Sequence, residues 1–193
     1  MEVTVRTSLS REVIACRLSG DFYLQPEADD FGMVMEGTGR IDVAGSLDRY
    51  RALHADWEGH VARVAERLRT AQPDLVLAAI PYLTLSAAKR AGIPVVAMGS
   101  LNWRGILGAF TGPSEAWNPI LGSMEEAYNG AEWFLQPEPA MPMPELGNQM
   151  PIGPVGRVGE ARPEALRRSL GVSEQEALVL VALGGMLYGL SLA

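Results

Sequence analysis

Two nearly continuous apolar runs, PDLVLAAIP (73–81) and IPVVAMG (93–99), constrain this chain more than any other feature. A strand with one wet face alternates polar and apolar residues, whereas a strand of a parallel sheet covered on both faces reads as a nearly continuous apolar run. Both runs are of the second kind. The stretch between them, YLTLSAAKRAG, has the composition of a short helix stopped by Gly92. Strand, helix, strand is a βαβ unit whose crossover is right-handed. A helical piece to Phe110, a helix from about Glu115 to Asn129 and a strand in EWFLQP continue the alternation. The fold class this predicts is α/β, with a Rossmann-like, doubly wound parallel sheet.

Upstream, Leu47, Tyr50, His54, Trp57, Val61, Val64 and Leu68 recur at spacings of three and four, which predicts one long amphipathic helix with Ser46 as its N-cap. The start, EVTVRTS, alternates like a strand, and GDFYLQPEADDFGMVMEGTGRIDVAGS reads as loop with short extended pieces. Residues 137–160 are too rich in proline and glycine for a helix or a central strand, so they are expected to link two domains. The expected organisation is a domain over 1–136, a linker over 137–160, and over 161–193 a short helix-strand stub that opens a second domain. The strand of that stub, ALVLVAL (177–183), is uncharged. It is expected to pair with a sheet edge of this domain or of a second copy, giving a homo-oligomer.

Composition narrows the partners. With 193 residues, 48% of them hydrophobic, the chain can bury a full core. A formal charge of -7 and the lack of any run of basic residues argue against nucleic acid. The only cysteine, Cys16, excludes an internal disulfide and is expected to be buried. The N-terminus lacks the basic and apolar regions of a secretory leader, and ALVLVALGGMLYGLSLA is too short and too glycine-broken to span a bilayer, so the chain reads as cytoplasmic with no transmembrane segment.

Ligands of open α/β sheets bind beyond the carboxyl ends of the strands. Tyr82, following Pro81, ends the first apolar run, and Ser100, Asn102 and Trp103 follow the second. Hydroxyl and amide suit a polar ligand and an indole suits stacking. The same residues also suit a helix N-terminus capped by Ser100 or Asn102 with Trp103 in the core, and both readings stay open. Gly184 and Gly185, after LVLVAL, have the form of a strand-to-helix turn that approaches phosphate. His54 lies on the apolar stripe with His60 beside it, and a structural histidine is expected there in preference to a base for an acceptor hydroxyl; Asp56 and Glu58 are expected to be solvated. The pair Asp29 and Asp30 reads as an acidic turn, and Met141 and Met143 as an apolar seam. No metal and no cofactor is expected, and no catalytic residue can be assigned.

The run HADWEGHVARVAERLRTAQPDLVLAAIPYLTLSAAKRAGIPVVAMGSLNW, followed by AEWFLQP, the proline-rich crossing and LVLVALGG, resembles the middle of a GT-B glycosyltransferase, closest to bacterial proteins allied to the lipid-linked N-acetylglucosaminyltransferase group. The resemblance implies an incomplete N-terminal half of that two-domain fold. Such enzymes start with a strand and a Gly/His-rich loop ahead of the position of Met1 and continue for a whole domain after LGG, so the resemblance implies truncation at both ends. It further implies hexosyl transfer from a nucleotide-sugar, a UDP-sugar foremost, to an unknown acceptor. Tyr82, Ser100, Asn102 and Trp103 would lie on the acceptor side, Gly184 and Gly185 at the donor diphosphate. The competing class is a non-catalytic Rossmann-like module that binds a ligand or a protein, which the lack of a tightly spaced acid/base set favours.

Overall fold

The computed structural model describes residues 1–180 apart from 30, 38, 39, 113 and 157. In chain order the elements are β1 (Thr4–Arg6), α1 (Arg11–Ala15), β2 (Tyr23–Gln25), β3 (Met35–Glu36), β4 (Arg40–Ile41), α2 (Val43–Ala55), α3 (Trp57–Ala71) and β5 (Val76–Ala78). They continue with α4 (Tyr82–Ala91), β6 (Val95–Met98), α5 (Trp103–Thr111), α6 (Asn118–Asn129), β7 (Trp133–Pro137), β8 (Gln149–Ile152) and α7 (Pro163–Leu170).

The continuous apolar runs become the parallel strands β5 and β6, and β7 and β8 extend them into a four-stranded, all-parallel sheet in the order β5-β6-β7-β8. The chain is therefore α/β. Strand order follows chain order, so every crossover steps the same way, and α4 and α6 pack side by side on one face. A doubly wound sheet reverses its order part way; the described residues carry a run in one direction. The core lies between this face and the helices, with Tyr128, Phe134, Met124, Leu85 and Ala97 fully buried. Tyr128 meets Phe134 edge-on at 5.6 Å between ring centres. A smaller cluster of Val61, Val64, Ala65, Leu83 and Ala87 joins α3 to α4.

The stretch expected to be a linker supplies part of the sheet. β8 lies within it, and Met143 and Leu146, on the way from β7, are buried in the core. Proline does not prevent this because β8 is an edge strand: Pro151 sits opposite Gln136 of β7, and no described strand pairs with its other side. Only after Ile152 does the chain leave the body. α7 ends on Gly171 in the left-handed region (φ 68°) as expected, and it buries no residue. Residues 177–180 form no strand and lie exposed; 181–183 of the expected strand, and with them Gly184 and Gly185, lie outside the described residues.

The single long helix is two. The apolar spacing runs on unbroken, but Asp56 leaves helical geometry (φ -128°, ψ 43°) and divides α2 from α3. Asp42, not Ser46, caps α2, its Oδ1 accepting from the Gly45 N–H at 2.9 Å. Ser46 is one turn inside and buried; its hydroxyl donates to Asp42 O at 2.6 Å and accepts from the Val34 N–H at 2.9 Å, fastening the loop before β3 onto the helix. Cys16 is exposed, because the short α1 packs no buried residue on the body.

β1 and β2 form a separate parallel pair, and β3 with β4 an antiparallel one. Asp29 ties the first pair to the helices. Its carboxylate, 8% exposed, takes Arg6 Nε at 3.1 Å, Arg67 Nη2 of α3 at 2.8 Å and the Thr84 hydroxyl of α4 at 2.9 Å. The acidic stretch thus works as a bolt between three elements, and Asp30 lies outside the described residues.

Candidate functional site

The carboxyl ends of β5, β6 and β7 feed three loops that are stitched together. After β5, Ile80 takes a left-handed backbone (φ 66°), a conformation that β-branched residues avoid. Its carbonyl accepts a hydrogen bond from the Tyr128 hydroxyl at 3.1 Å, and the Trp103 N–H donates to that same hydroxyl at 3.2 Å. One phenol therefore joins the end of β5 to the start of α5. Gly99, ending β6, is there for space: a Cβ on it would stand 2.5 Å from Ile80 Cγ2. The Met141 N–H, beyond β7, donates to Ser100 O at 2.9 Å, bringing in the third loop.

The four residues expected on the acceptor side gather around these loops in different states. Tyr82 opens α4 and is buried, sharing a hydrogen bond with His54 Nε2 at 3.0 Å. Asn102 is wholly buried; its Oδ1 caps α5 by accepting from the Gly105 N–H at 2.7 Å, and its Nδ2 donates to Glu145 Oε1 at 3.2 Å. Ser100 is exposed and Trp103 half-buried. The Trp103 ring covers Gly32, where a Cβ would meet Cη2 at 2.7 Å and where φ is 62°, so both space and backbone require glycine. The indole Nε1 is buried and has no hydrogen-bond partner among the described residues. Thus Asn102 and Tyr82 turn their polar atoms inward, while Ser100 and Trp103 lie nearer the surface.

Beside them is an open cavity of about 680 Å³ between the sheet and the loop that leaves β7, lined among others by Gln136, Glu138, Met141, Met143 and Gln149. Its size falls in the range of small-molecule sites, roughly 300–1,000 Å³. Gln136 and Gln149 brace it: the Gln136 amide donates to Met141 O at 3.0 Å, and the Gln149 amide to Met143 O at 2.8 Å and Leu146 O at 2.7 Å. Sequence reasoning missed this wall because a lone glutamine carries no signal of its own. Met141 lines the cavity and Met143 is buried in the core, which gives the apolar seam its place.

His54 is held by aromatic rings. It stacks on Trp57 at 4.7 Å with 4° between planes and lies 5.9 Å from the Tyr82 ring. Burial among them pushes its pKa down to about 4, so the ring is neutral at pH 7. His60, by contrast, contacts Arg63 through Nδ1 on the exposed side of α3. No known protein family, curated protein or solved structure matches this chain.

Proposed function

We propose that this chain is a glycosyltransferase-like protein with a Rossmann-like acceptor-side half of the GT-B kind, acting in hexosyl transfer from a nucleotide-sugar. The observation that carries this reading is the open cavity at the carboxyl end of β7, joined through Met141 to the loop that presents Ser100 and Trp103. In this reading Ser100 and Trp103 meet a sugar hydroxyl and a sugar face. Tyr82 and Asn102 act one step back, holding the loops in place. Glu138 is the carboxylate among the residues that line the cavity. Inverting transfer needs a base at the acceptor hydroxyl and donors at the leaving diphosphate.

The test is a panel of UDP- and GDP-sugars, with nucleotide release as the readout. Release is expected from at least one donor, and Ser100→Ala and Glu138→Gln should lower it at least tenfold. Release that is unchanged in both variants would sink the site. The second reading, a binding module without turnover, is favoured by one observation: His54, Tyr82 and Asn102 bond to one another or to the scaffold. Saturable quenching of tryptophan fluorescence by a sugar or nucleotide, lost in Trp103→Phe and unaccompanied by release, would select that reading.

A further inference from the structure

Among the described residues, helices cover one face of the sheet and nothing covers the other. Successive residues of a strand point to opposite faces, and residues in register on neighbouring parallel strands point to the same one. Ala78, Ala97 and Phe134 are in register and buried under the helices. The alternate residues make two cross-strand rows on the other side: Leu77, Val96, Trp133 and then Met98, Leu135, Met150. Leu77 is 57% exposed, Trp133 47% and Met150 36%, and Leu75, two residues before Leu77, 54%. Neither row holds a charge. All-parallel sheets are found almost only with both faces covered, so this surface is built to be occupied.

We propose that the bare face is the docking surface for residues 178–193 of this same chain. Three observations select that occupant. The first is chemistry: LVLVALGGMLYGLSLA has no charged residue, and its described part lies open, with Val179 83% and Leu180 90% exposed. The second is the tether. The stretch 153–177 joins β8, an edge strand of this sheet, to the segment by way of α7; the helix adds about 12 Å and the remaining residues, as coil, roughly 20 Å. Four strands spaced about 4.8 Å apart span only some 15–19 Å, so the whole face is within reach. A tether of this kind holds its ends together at an effective concentration on the order of millimolar.

The third observation is area. At that spacing, with about 3.3 Å per residue along each strand, the face covers on the order of 250 Å². A stable association of two chains needs about 800 Å² from each partner. A second copy stacked sheet on sheet over so small a footprint falls short of that, whereas a single segment of the same chain is the right size. Docking of this segment requires neither donor nor acceptor, so it stands apart from the glycosyl-transfer reading.

Cross-linking in the full chain tests the proposal. With Cys16→Ser as background, Leu77→Cys and Val179→Cys provide one thiol on the face and one on the segment. A short bis-maleimide is expected to link them within one chain, at a yield unchanged by tenfold dilution. A link between two chains whose yield falls on dilution would overturn the proposal in favour of a second copy. Two thiols that each react with free maleimide and never with each other would overturn it outright. Hydrogen exchange on the unaltered chain provides an arm free of cysteine substitutions. Amides of 178–193 are expected to exchange at least tenfold more slowly than those of 154–162, and Leu77→Asp should abolish the difference. Exchange at the rate of a free peptide in the unaltered chain would overturn the proposal as well.

Discussion

His54 shows at the scale of one residue how packing sets chemistry. Its ordinary pKa of 6.5 falls to about 4 in the fold because burial against Trp57 and Tyr82 opposes the charged ring. Between those two pH values the unfolded chain binds a proton that the folded chain does not. Stability is therefore lost as pH falls from about 6.5 towards 4, and this group contributes no slope above that window. His54→Gln should flatten the fall: the urea midpoint of the variant, measured against the parent at pH 7 and pH 4.5, should gain on the parent at the lower pH. An equal drop in both proteins would show that other groups set the slope. The partner that makes His54 special, Tyr82, lies on another helix, and no spacing in the sequence pairs them. Ser46 carries the same lesson. It was legible as a helix-start residue, but Asp42 reached the open N–H groups first, and Ser46 turned to the β3 loop instead.

Among the elements, α5 depends most on a single side chain. Asn102 closes its first turn through Gly105 while anchoring Glu145, and burial leaves neither half of the amide access to water. Asn102→Ala removes the cap, which is worth about 1 kcal/mol, and leaves the Glu145 carboxylate without its amide donor. A loss of about 1–2 kcal/mol in urea unfolding is expected. Asn102→Asp keeps the cap oxygen but sets two carboxylates together, and should recover little. The start of α5 was legible in the sequence as a cap position; which of its two readings applies to Asn102 depends on Glu145, which arrives on the loop after β7. β8 is the reverse case. The prolines of its stretch argued for a linker, and Pro151 is tolerated only because β8 ends up at the sheet edge, a position that local pattern cannot report.

Across the whole molecule, cooperativity should divide along the polar bolt at Asp29. The sheet and α2 to α6 share one core, whereas β1 and β2 meet the body through Arg6, Asp29, Arg67 and Thr84. Native-state hydrogen exchange should find the β1–β2 amides, such as those of Thr7 and Tyr23, exchanging at least a hundredfold faster than those of β6. Asp29→Asn should widen that gap while leaving β6 unchanged; equal protection in both sheets would show a single cooperative unit. No helix among the described residues is long and apolar enough to cross a membrane. The sequence alone determined the α/β class, the βαβ unit, the glycine stop of α4 and the place of the loops after β5 and β6, because uninterrupted apolar runs and terminal glycines act locally. Only the tertiary structure decided the break at Asp56, the entry of β8 into the sheet, the inward turn of Tyr82 and Asn102, and the bare second face. Each of these depends on what a residue meets across the fold, and such encounters leave no periodicity in the chain.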